Sequence, residues 1–458
     1  MSEVTHEGWE GKTVLVLGLG NTGLSCVRWL ARQGARLRGA DTREAPPALR
    51  AVRETVPGIR VDLGALGASL LEGVDAVAAS PGVALREPVL QAALARGVEV
   101  VGDVEIFGRE LARAGEGVRV IGITGTNGKS TVTALAGAMG RAAGLETVVA
   151  GNIGVPVLDA LAGSQATPDL FVIELSSYQL ETTANLNLDA AAMLNLSQDH
   201  LDRYDGMADY ARAKARIFRH CDSRVVNRDD AWSLGMSGGA RTLSFGLGVP
   251  EGIDEWGIED GRLVEGREPI VAVEELGMHG LHNAANALAA HALLRALYVP
   301  GAPLARAMRE FRGLPHRVER VAEANGVRFY DDSKGTNVGA TVAALEGFRE
   351  PVVLIAGGDG KGQDFSALAP AVKARARAVV LIGRDAPAIA AALATSGVPA
   401  ERAATMEAAV AAAFALAKVG DAVLLSPACA SFDMYANYGQ RGEAFAAAAR
   451  ALAAGRAG

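Results

Sequence analysis

The sequence predicts an α/β protein with three domains: a Rossmann-like domain at each end and a P-loop mononucleotide-binding domain with a parallel sheet between them. Short β-branched runs alternate with alanine-rich helical stretches, which is typical of parallel sheets covered by helices. Glycine-rich loops directly follow several of these runs. At 458 residues the chain is too long for one ordinary core. We expect domains at residues 1–109, 110–314 and 315–458.

The composition is that of an ordinary globular enzyme, with 50% hydrophobic and 21% charged residues. A net charge of -7 argues against a nucleic-acid-binding protein, which normally has a basic surface. The start of the chain lacks the basic and apolar regions of a secretory signal, and no apolar run approaches a membrane helix in length. The three cysteines, Cys26, Cys221 and Cys429, lack metal-site spacing. We expect a reduced, cytoplasmic monomer that binds neither nucleic acid nor membrane.

The first strand, residues 13–17, runs into a glycine-rich turn with glycines at positions 18, 20 and 23. A helix over 24–33 and a second strand over 36–40 follow, and the second strand ends in Asp41. This is the dinucleotide-binding fingerprint in its usual context. Ser80-Pro-Gly82 follows another strand, 75–79, at the same sheet edge. The pattern predicts a nucleotide ligand whose identity stays open, and a nicotinamide enzyme is one alternative.

A second glycine-rich loop lies between a strand over 118–123 and a helix that ends near Gly144. Lys129 and Ser130 stand at the start of that helix. Glycines let backbone N–H groups surround an anion, the helix dipole attracts it, and the lysine reaches the outer phosphates. The usual pattern has its first glycine where Ile123 stands here. A plain glycine-rich turn is the alternative, but the position of Lys129 and Ser130 favours a phosphate-binding loop with a magnesium ligand at Ser130.

Two further strands, 169–174 and 190–196, predict polar groups near this loop. Carboxyl ends of parallel strands share one edge, so Glu174 and His200 should lie beside the phosphate loop. Each alone fits a plain explanation, Glu174 as a helix N-cap and His200 as a loop histidine. Together at one edge they favour a metal site. Asn152 adds a polar group in a glycine-flanked loop.

Lys214 is predicted to lie on the apolar face of a helix, with Tyr210, Ile217 and Phe218 at helical spacing around it. A buried lysine is costly unless it is paired or chemically altered. The alternative is a lysine that reaches solvent at the edge of that face. Only seven of the 45 basic residues are lysine and the other 38 are arginine. In a chain with so few lysines, we expect a lysine mainly where an amine is required and a guanidinium group would not serve. We therefore favour a functional role.

The next stretch, 235–280, is rich in glycine and acidic residues and predicts a small appended sheet. A turn over 280–286 then leads into a helix over 287–298. Asn283 and Asn286 lie three residues apart near its start, where they could cap the helix or bind the edge of a base.

Gly313-Leu-Pro315 interrupts the helical pattern and predicts a domain boundary, followed at once by His316 and Arg317. Three later strands, 327–330, 352–356 and 422–425, each end in a polar loop. Two of the seven lysines, Lys334 and Lys361, occur in the first two of these loops. Solvated turn lysines are the plain alternative, but their shared sheet edge favours a binding role.

Taken together, the motifs resemble those of the Mur ligase family, ATP-dependent amide-forming enzymes of peptidoglycan precursor synthesis. The segments that carry the resemblance span all three domains: Gly18 to Ser25, Gly125 to Ser130, Glu174 to Glu181, Asp199 to Tyr204 and Ser426 to Ser431. The phosphate loop resembles the family's own version of this motif. That version explains why Ile123 stands where the usual pattern has its first glycine.

The resemblance implies a set of site residues. UDP-N-acetylmuramoyl-L-alanine would be bound by Asn21, Thr22, Asp41, Thr42, Arg43, Ser80, Gly82, Asn152 and Gln179. ATP would be bound by Gly125, Thr126, Asn127, Gly128, Lys129, Ser130, Thr131, Asn283, Asn286, Arg317 and Asp332. D-Glutamate would be bound by Lys334, Lys361, Ser431, Phe432 and Tyr438, the last standing where family members commonly have phenylalanine.

The resemblance also implies two magnesium ions, one held by Ser130 and Glu174 and the other by His200 and a carbamate on Lys214. Lys129, His200 and Lys214 would be the catalytic residues. The γ-phosphoryl group of ATP would activate the alanine carboxylate, and the amine of D-glutamate would then attack through a tetrahedral intermediate. We expect the C-terminal domain to close onto the central one as a working step.

Three other functions remain open at this point. A Mur-type or folate-type ligase for a different amino acid would keep the phosphate loop and change the loops at Lys361 and Ser431. A nicotinamide oxidoreductase would leave Lys129, Glu174 and His200 without a role. A nucleotide sensor without catalysis would not need so many polar loops at one edge.

Overall fold

The computed structural model describes residues 8–115, 117–164, 167–200, 203–239, 241–278 and 280–455. Within these ranges the chain forms three sheets with buried residues on both faces. In the first sheet, Val14 and Val16 point into one core while Leu15 and Leu17 point into another. Strands buried on both faces have continuous hydrophobic sequences, which is why short apolar runs located them correctly.

The first sheet is parallel and has the order β3-β2-β1-β4-β5. Its strands are β1 (Thr13–Leu17), β2 (Arg36–Asp41), β3 (Arg60–Leu63), β4 (Ala76–Ala79) and β5 (Glu99–Val101). The helices around it are α1 (Asn21–Arg32), α2 (Leu49–Thr55), α3 (Pro88–Ala95) and α4 (Asp103–Ala114). Helix α1 starts at Asn21, three residues before the predicted start, so Asn21 and Thr22 belong to its first turn.

The central sheet has the order β14-β13-β12-β11-β10-β9-β6-β8-β7. Its strands are β6 (Arg119–Thr124), β7 (Thr147–Gly151), β8 (Leu170–Glu174), β9 (Leu188–Met193), β10 (Cys221–Asn227), β11 (Arg241–Phe245), β12 (Glu255–Glu259), β13 (Arg262–Glu265) and β14 (Glu268–Ala272). The α-helices are α5 (Lys129–Ala142), α6 (Val157–Gly163), α7 (Ser177–Glu181), α8 (Met207–Ala215), α9 (Ala231–Leu234), α10 (Leu281–Ala296) and α11 (Gly301–Glu310).

The appended strands are present, and they continue the central sheet instead of forming a sheet of their own. β10 pairs with β11 and β11 with β12 in parallel, whereas β13 runs antiparallel to both of its neighbours, β12 and β14. Two predicted boundaries also differ. Strand β9 ends at Met193, because Asn195 turns away to bind the phosphate loop. Helix α10 begins at Leu281, six residues earlier than predicted, directly after Gly280.

The last sheet has the order β15-β16-β20-β17-β18-β19, with β15 antiparallel to its neighbour. Its strands are β15 (Glu319–Ala324), β16 (Val327–Asp331), β17 (Val352–Gly357), β18 (Ala376–Ile382), β19 (Ala400–Arg402) and β20 (Ala422–Leu425). Its α-helices are α12 (Val338–Glu346), α13 (Leu368–Arg375), α14 (Ala386–Leu393), α15 (Met406–Leu416) and α16 (Tyr438–Ala454).

The first two sheets share a hydrophobic core. One cluster of buried side chains includes Val14 from β1, Phe107 from α4 and Phe171 from β8. The rings of Phe107 and Phe171 pack edge to face with centroids 5.1 Å apart. The proposed domain boundary at residue 109 therefore lies within α4, a helix that joins the two sheets.

Two predictions fall partly on residues outside the described ranges. Leu201 and Asp202 of the segment around His200 lie outside them, as do the first seven residues, on which the expectation of no secretory signal depended. Among the helices that the structure describes, we find none with the length and apolarity required to cross a membrane.

The packing of α5 on the central sheet generates a prediction about stability. A Cβ atom on Gly137 would lie 2.3 Å from Cγ2 of Val149, so the helix can approach the sheet only with glycine there. We expect Gly137→Ala to lower the Tm by on the order of 5 °C, because the clash outweighs the better helix propensity of alanine. Differential scanning calorimetry measures this shift.

Gly163→Ala is the matched control, since a Cβ atom on Gly163 in α6 would have no neighbouring atom within 4 Å. That variant should keep or slightly raise the Tm. An unchanged Tm in Gly137→Ala would contradict the packing argument.

Candidate active site

The phosphate loop follows β6 and is held by hydrogen bonds from Asn195. The backbone N–H of Asn127 donates to Oδ1 of Asn195 at 2.8 Å, and Nδ2 of Asn195 donates to the carbonyl of Asn127 at 3.1 Å. Gly128 has a φ of +83°, and a Cβ atom there would lie 2.4 Å from Oδ1 of Asn286. Glycine at this position therefore permits both the left-handed turn and the close approach of α10.

Lys129 begins α5 and folds back over the loop. Its Nζ donates to the carbonyl oxygens of Gly125 at 2.9 Å and Thr126 at 2.8 Å. Burial lowers the pKa of this amine, while Glu174 and Asp199 act in the opposite direction. Because Lys129 is the first residue of α5 and binds the loop carbonyls, its amine lies at the helix N-terminus, where a phosphate group would bind.

Lys214 lies beneath the same loop. It is only 1% exposed, and its Nζ donates to the carbonyl of Gly125 at 2.8 Å and to Oγ1 of Thr124 at 3.2 Å. The alternative of a lysine reaching solvent is therefore wrong. Burial, together with repulsion from Lys129, holds the pKa of Lys214 well below its ordinary value. A neutral amine is the form that adds carbon dioxide, so the site is chemically suited to a carbamate.

Glu174 and Ser130 offer oxygen atoms to a cation. Oε1 of Glu174 accepts a hydrogen bond from Nδ2 of Asn152 at 2.7 Å. Oε2 is buried and has no hydrogen-bond partner among the described residues. An orphaned carboxylate oxygen and a buried serine hydroxyl that line one cavity fit the preference of Mg²⁺ for hard oxygen ligands.

His200 lies at the edge of the same cavity, with a left-handed backbone at φ +56°. Its Nδ1 is 2.7 Å from the hydroxyl of Tyr178. Burial lowers the pKa of His200, which favours the neutral imidazole that metal ions require. His200, predicted from sequence as a metal ligand, thus lines the same cavity as Glu174 and Ser130, although Mg²⁺ usually prefers oxygen.

A cavity between the central and C-terminal sheets brings together most of the residues predicted to bind ATP. The predicted residues that line it are Thr126, Asn127, Gly128, Lys129, Ser130, Thr131, Asn152, Glu174, His200, Asn283, Asn286, Arg317, Asp332, Lys334 and Lys361. Gly125, although part of the loop, and Lys214, which donates to its carbonyl, are not among the lining residues. Nδ2 of Asn286 donates to Oδ1 of Asn283 at 3.1 Å, so these two amides form one polar edge at the start of α10.

Arg317 connects the two halves of this cavity. Its Nη2 donates to Oγ of Ser130 at 2.9 Å. This hydrogen bond joins the C-terminal part of the chain to the phosphate loop. In the same cavity, burial raises the pKa of Asp332 to about 7. A hydrogen bond from Oγ of Ser426 at 2.7 Å acts in the opposite direction but does not outweigh burial. The cavity therefore contains a partly buried guanidinium group and a carboxyl group whose pKa is raised by burial.

A second cavity contains all nine residues predicted to bind the UDP substrate: Asn21, Thr22, Asp41, Thr42, Arg43, Ser80, Gly82, Asn152 and Gln179. Hydrogen bonds from Arg43 lower the pKa of Asp41 to about 2, and the N–H of Leu19 also donates to this carboxylate at 2.7 Å. Asn152 lines both cavities. The two binding regions therefore meet at one amide side chain.

The residues predicted to bind D-glutamate are less closely grouped. Lys334 and Lys361 line the first cavity, and Lys361 has a left-handed backbone at φ +50°. Nζ of Lys334 donates to the hydroxyl of Tyr438 at 3.0 Å, so Tyr438 is joined to this group. Ser431 is buried, and Phe432 is 69% exposed.

Sequence reasoning did not single out several polar residues that line the first cavity, among them Asn195, Asp199 and Asn337. Nδ2 of Asn337 donates to Oδ1 of Asn127 at 3.2 Å, which makes a second polar contact between the C-terminal part and the phosphate loop. These three residues lie at the ends of predicted strands or in the loops that follow them, which could have indicated a place at the site. Many other polar loop residues have the same kind of position, so this does not distinguish them.

The raised pKa of Asp332 predicts a change of stability with pH. In an unfolded chain an aspartate titrates near pH 3.9, so between about pH 4 and pH 7 the folded state keeps a proton that the unfolded state has lost. The contribution of Asp332 to the free energy of unfolding therefore falls as the pH rises through this window. We expect Asp332→Asn to raise the Tm relative to wild type at about pH 8, with little gain at about pH 5.

Calorimetry at both pH values tests this, with Asp222→Asn, at an exposed position on β10, as the control. The control should show the same difference from wild type at both pH values. A pH-independent difference for Asp332→Asn would contradict the burial effect.

Family models match all three parts of the chain. A MurD-like Mur ligase N-terminal domain matches residues 12–102, a Mur ligase middle domain matches 123–294, and a Mur ligase glutamate ligase domain matches 316–429.

Curated relatives are similar over nearly the whole length. The UDP-N-acetylmuramoylalanine–D-glutamate ligase of Nitrosospira multiformis is 55% identical over 460 residues, which cover 98% of this chain and 97% of the relative. The enzyme of the same name from Methylobacillus flagellatus is 56% identical over 439 residues, with 95% and 96% covered.

Solved structures share the fold. UDP-N-acetylmuramate-alanine ligase from Thermotoga maritima matches with a TM-score of 0.60 at 19% identity, covering 96% of this chain and 99% of that chain. At this identity the likeness concerns the fold alone. The family models and the relatives, which share more than half of their residues with this sequence, establish that the chain belongs to the Mur ligase family.

Proposed function

We propose that this protein joins the amine of D-glutamate to the L-alanine carboxylate of UDP-N-acetylmuramoyl-L-alanine, with ATP converted to ADP and phosphate, in peptidoglycan precursor synthesis. The observation that carries the proposal is the meeting of the two cavities at Asn152, beside the phosphate loop and Glu174. Members of the Mur ligase family are ATP-dependent amide ligases. The names of the relatives supply the two substrates.

In this reaction the first cavity binds ATP and the second binds the UDP substrate. Lys129, Arg317 and the backbone N–H groups of the loop offer positive charge to the phosphates. Asn283, Asn286 and Asp332 then face the adenosine part of ATP. At the other end of the site, Asn152 and Gln179 direct the alanine carboxylate from the second cavity toward the γ-phosphate.

Ser130 and Glu174 are the proposed ligands of one Mg²⁺, and His200 and a carbamate on Lys214 are those of a second. When bound, these ions neutralise the charge that builds up on crowded phosphate oxygens. The carbamate turns a buried amine into a carboxylate-like ligand. The hydrogen bonds from Lys214 to Gly125 and Thr124 keep this side chain directly beneath the loop.

The chemistry proceeds in two steps. An oxygen of the alanine carboxylate attacks the γ-phosphorus and ADP leaves, which gives an acyl phosphate. The amine of D-glutamate, free of its proton, then attacks the acyl carbon. The tetrahedral intermediate expels phosphate as the new amide forms. Lys334 and Lys361, with Ser431, Phe432 and Tyr438, are the proposed residues that hold D-glutamate for this attack.

The contacts of Arg317 with Ser130 and of Asn337 with Asn127 hold the C-terminal part against the phosphate loop. Opening of these polar contacts would admit substrates, and closure would exclude water from the acyl phosphate. We place this reaction in the cytoplasm, where ATP is available, and propose that a single chain performs it.

The substrate assignment is tested by phosphate release from ATP in the presence of UDP-N-acetylmuramoyl-L-alanine. We expect release with D-glutamate and little release with meso-diaminopimelate or L-lysine, because their second amine would face Lys334 and Lys361. Release with a diamino acid but not with D-glutamate would indicate a different ligase. Reactions without the UDP substrate provide the control.

The carbamate on Lys214 is tested with isotopically labelled bicarbonate and nuclear magnetic resonance. We expect one carbamate signal in the wild type that is absent from Lys214→Ala and retained in Lys373→Ala, which changes an exposed lysine of α13. Lys214→Ala should also lose most of its ligase activity, at least in part recovered by added short-chain carboxylic acids. A fully active wild-type enzyme without the signal would rule the carbamate out.

A further inference from the structure

We propose that Arg203 is a positioning residue that makes the binding of the UDP substrate and of the metal–nucleotide complex interdependent. Arg203, Glu181 and Tyr178 form a connected group, here named the Arg203 bridge, between the second cavity and His200. The inference rests on the proposed function, because the occupants of the two cavities come from it.

On one side, the bridge holds a loop of the second cavity. Nη1 of Arg203 donates to the carbonyl of Pro81 at 2.8 Å, and Nη2 is 3.5 Å from the carbonyl of Val83. Both residues line the second cavity. In the same loop, Oγ of Ser80 donates to the carbonyl of Gly18 at 2.7 Å, which ties it to the glycine-rich turn after β1. A shift of this loop on ligand binding would therefore move the guanidinium group.

The guanidinium group is fixed in its plane by Glu181. Nη2 donates to Oε2 of Glu181 at 2.5 Å and Nε donates to Oε1 at 3.2 Å. The hydroxyl of Tyr204 also donates to Oε1 at 2.6 Å. Both side chains of this ion pair are nearly buried, and a bidentate pair of this kind sets orientation as well as distance. Since Nε, Nη1 and Nη2 all have protein acceptors, Arg203 is suited to holding protein groups in place.

On the other side, the bridge reaches His200. The guanidinium carbon of Arg203 lies 3.9 Å from the centre of the Tyr178 ring, and the hydroxyl of Tyr178 lies 2.7 Å from Nδ1 of His200. Tyr178 belongs to α7, the short helix that also carries Gln179 into the second cavity. The two cavities are thus joined by direct contacts from Pro81 and Val83 through Arg203 and Tyr178 to His200.

Lysine could supply a positive charge at this position, but it lacks the planar group that pairs with Glu181 and stacks on Tyr178. Arg203→Lys therefore weakens the connection while keeping the charge. Tyr178→Phe keeps the ring beneath the guanidinium group and removes only the hydroxyl that contacts His200. The two variants interrupt the bridge at different points.

Isothermal titration calorimetry on the full chain tests the inference. UDP-N-acetylmuramoyl-L-alanine is titrated with and without a saturating non-hydrolysable ATP analogue and Mg²⁺, and the ratio of the two dissociation constants is the coupling factor. We expect a wild-type factor of about 5-fold or more, which is the usual lower end for coupled sites. In Arg203→Lys and Tyr178→Phe the factor should approach one, with Tm values close to wild type.

Arg224→Lys is the matched control, because Arg224 is also partly buried, donates to the carbonyls of Met236 and Phe218 and lies over the ring of Phe218. None of these residues belongs to the bridge or to α7. The control variant should keep the wild-type coupling factor. The inference is overturned if the wild type binds both ligands without coupling, or if both bridge variants keep the coupling. A wild type that binds neither ligand would instead refute the proposed function, and the inference with it.

Discussion

One carbonyl oxygen, that of Gly125, accepts hydrogen bonds from two lysine amines, Lys129 at 2.9 Å and Lys214 at 2.8 Å. Two ammonium groups so close together in a buried place would repel each other strongly. The arrangement is therefore stable only if one amine loses its charge or is neutralised. Lys129 can turn to phosphate, and Lys214 is already driven toward the neutral form. The chemistry of the phosphate loop depends on this constraint.

The two junctions between the sheets differ in kind. The first and central sheets share an apolar core through α4, where Phe107 packs against Phe171. Near the phosphate loop, the C-terminal part contacts the central part through hydrogen bonds between polar groups. These include Arg317 with Ser130 and Asn337 with Asn127. Apolar cores resist separation, whereas polar contacts can be exchanged for water or ligand. Any motion of domains is thus expected mainly at the second junction.

The sequence was sufficient for the fold class, most strands and the sheet edge where the site lies, because buried parallel strands have apolar sequences and their carboxyl ends meet at one edge. It did not predict the end of β9 or the start of α10. Strand β9 ends where Asn195 turns to the phosphate loop, and α10 begins directly after Gly280. Contacts between residues distant in sequence, such as the hydrogen bond from Lys214 to Gly125, have no local signature.

Asn152 has a practical consequence for inhibition. It lines both cavities and donates to Glu174, so the two binding regions adjoin at this side chain. A compound built from two weakly binding fragments, one for each cavity, would need a linker only long enough to pass this amide. Short linkers give high effective concentrations, so such a compound could bind far more tightly than either fragment without any new contact.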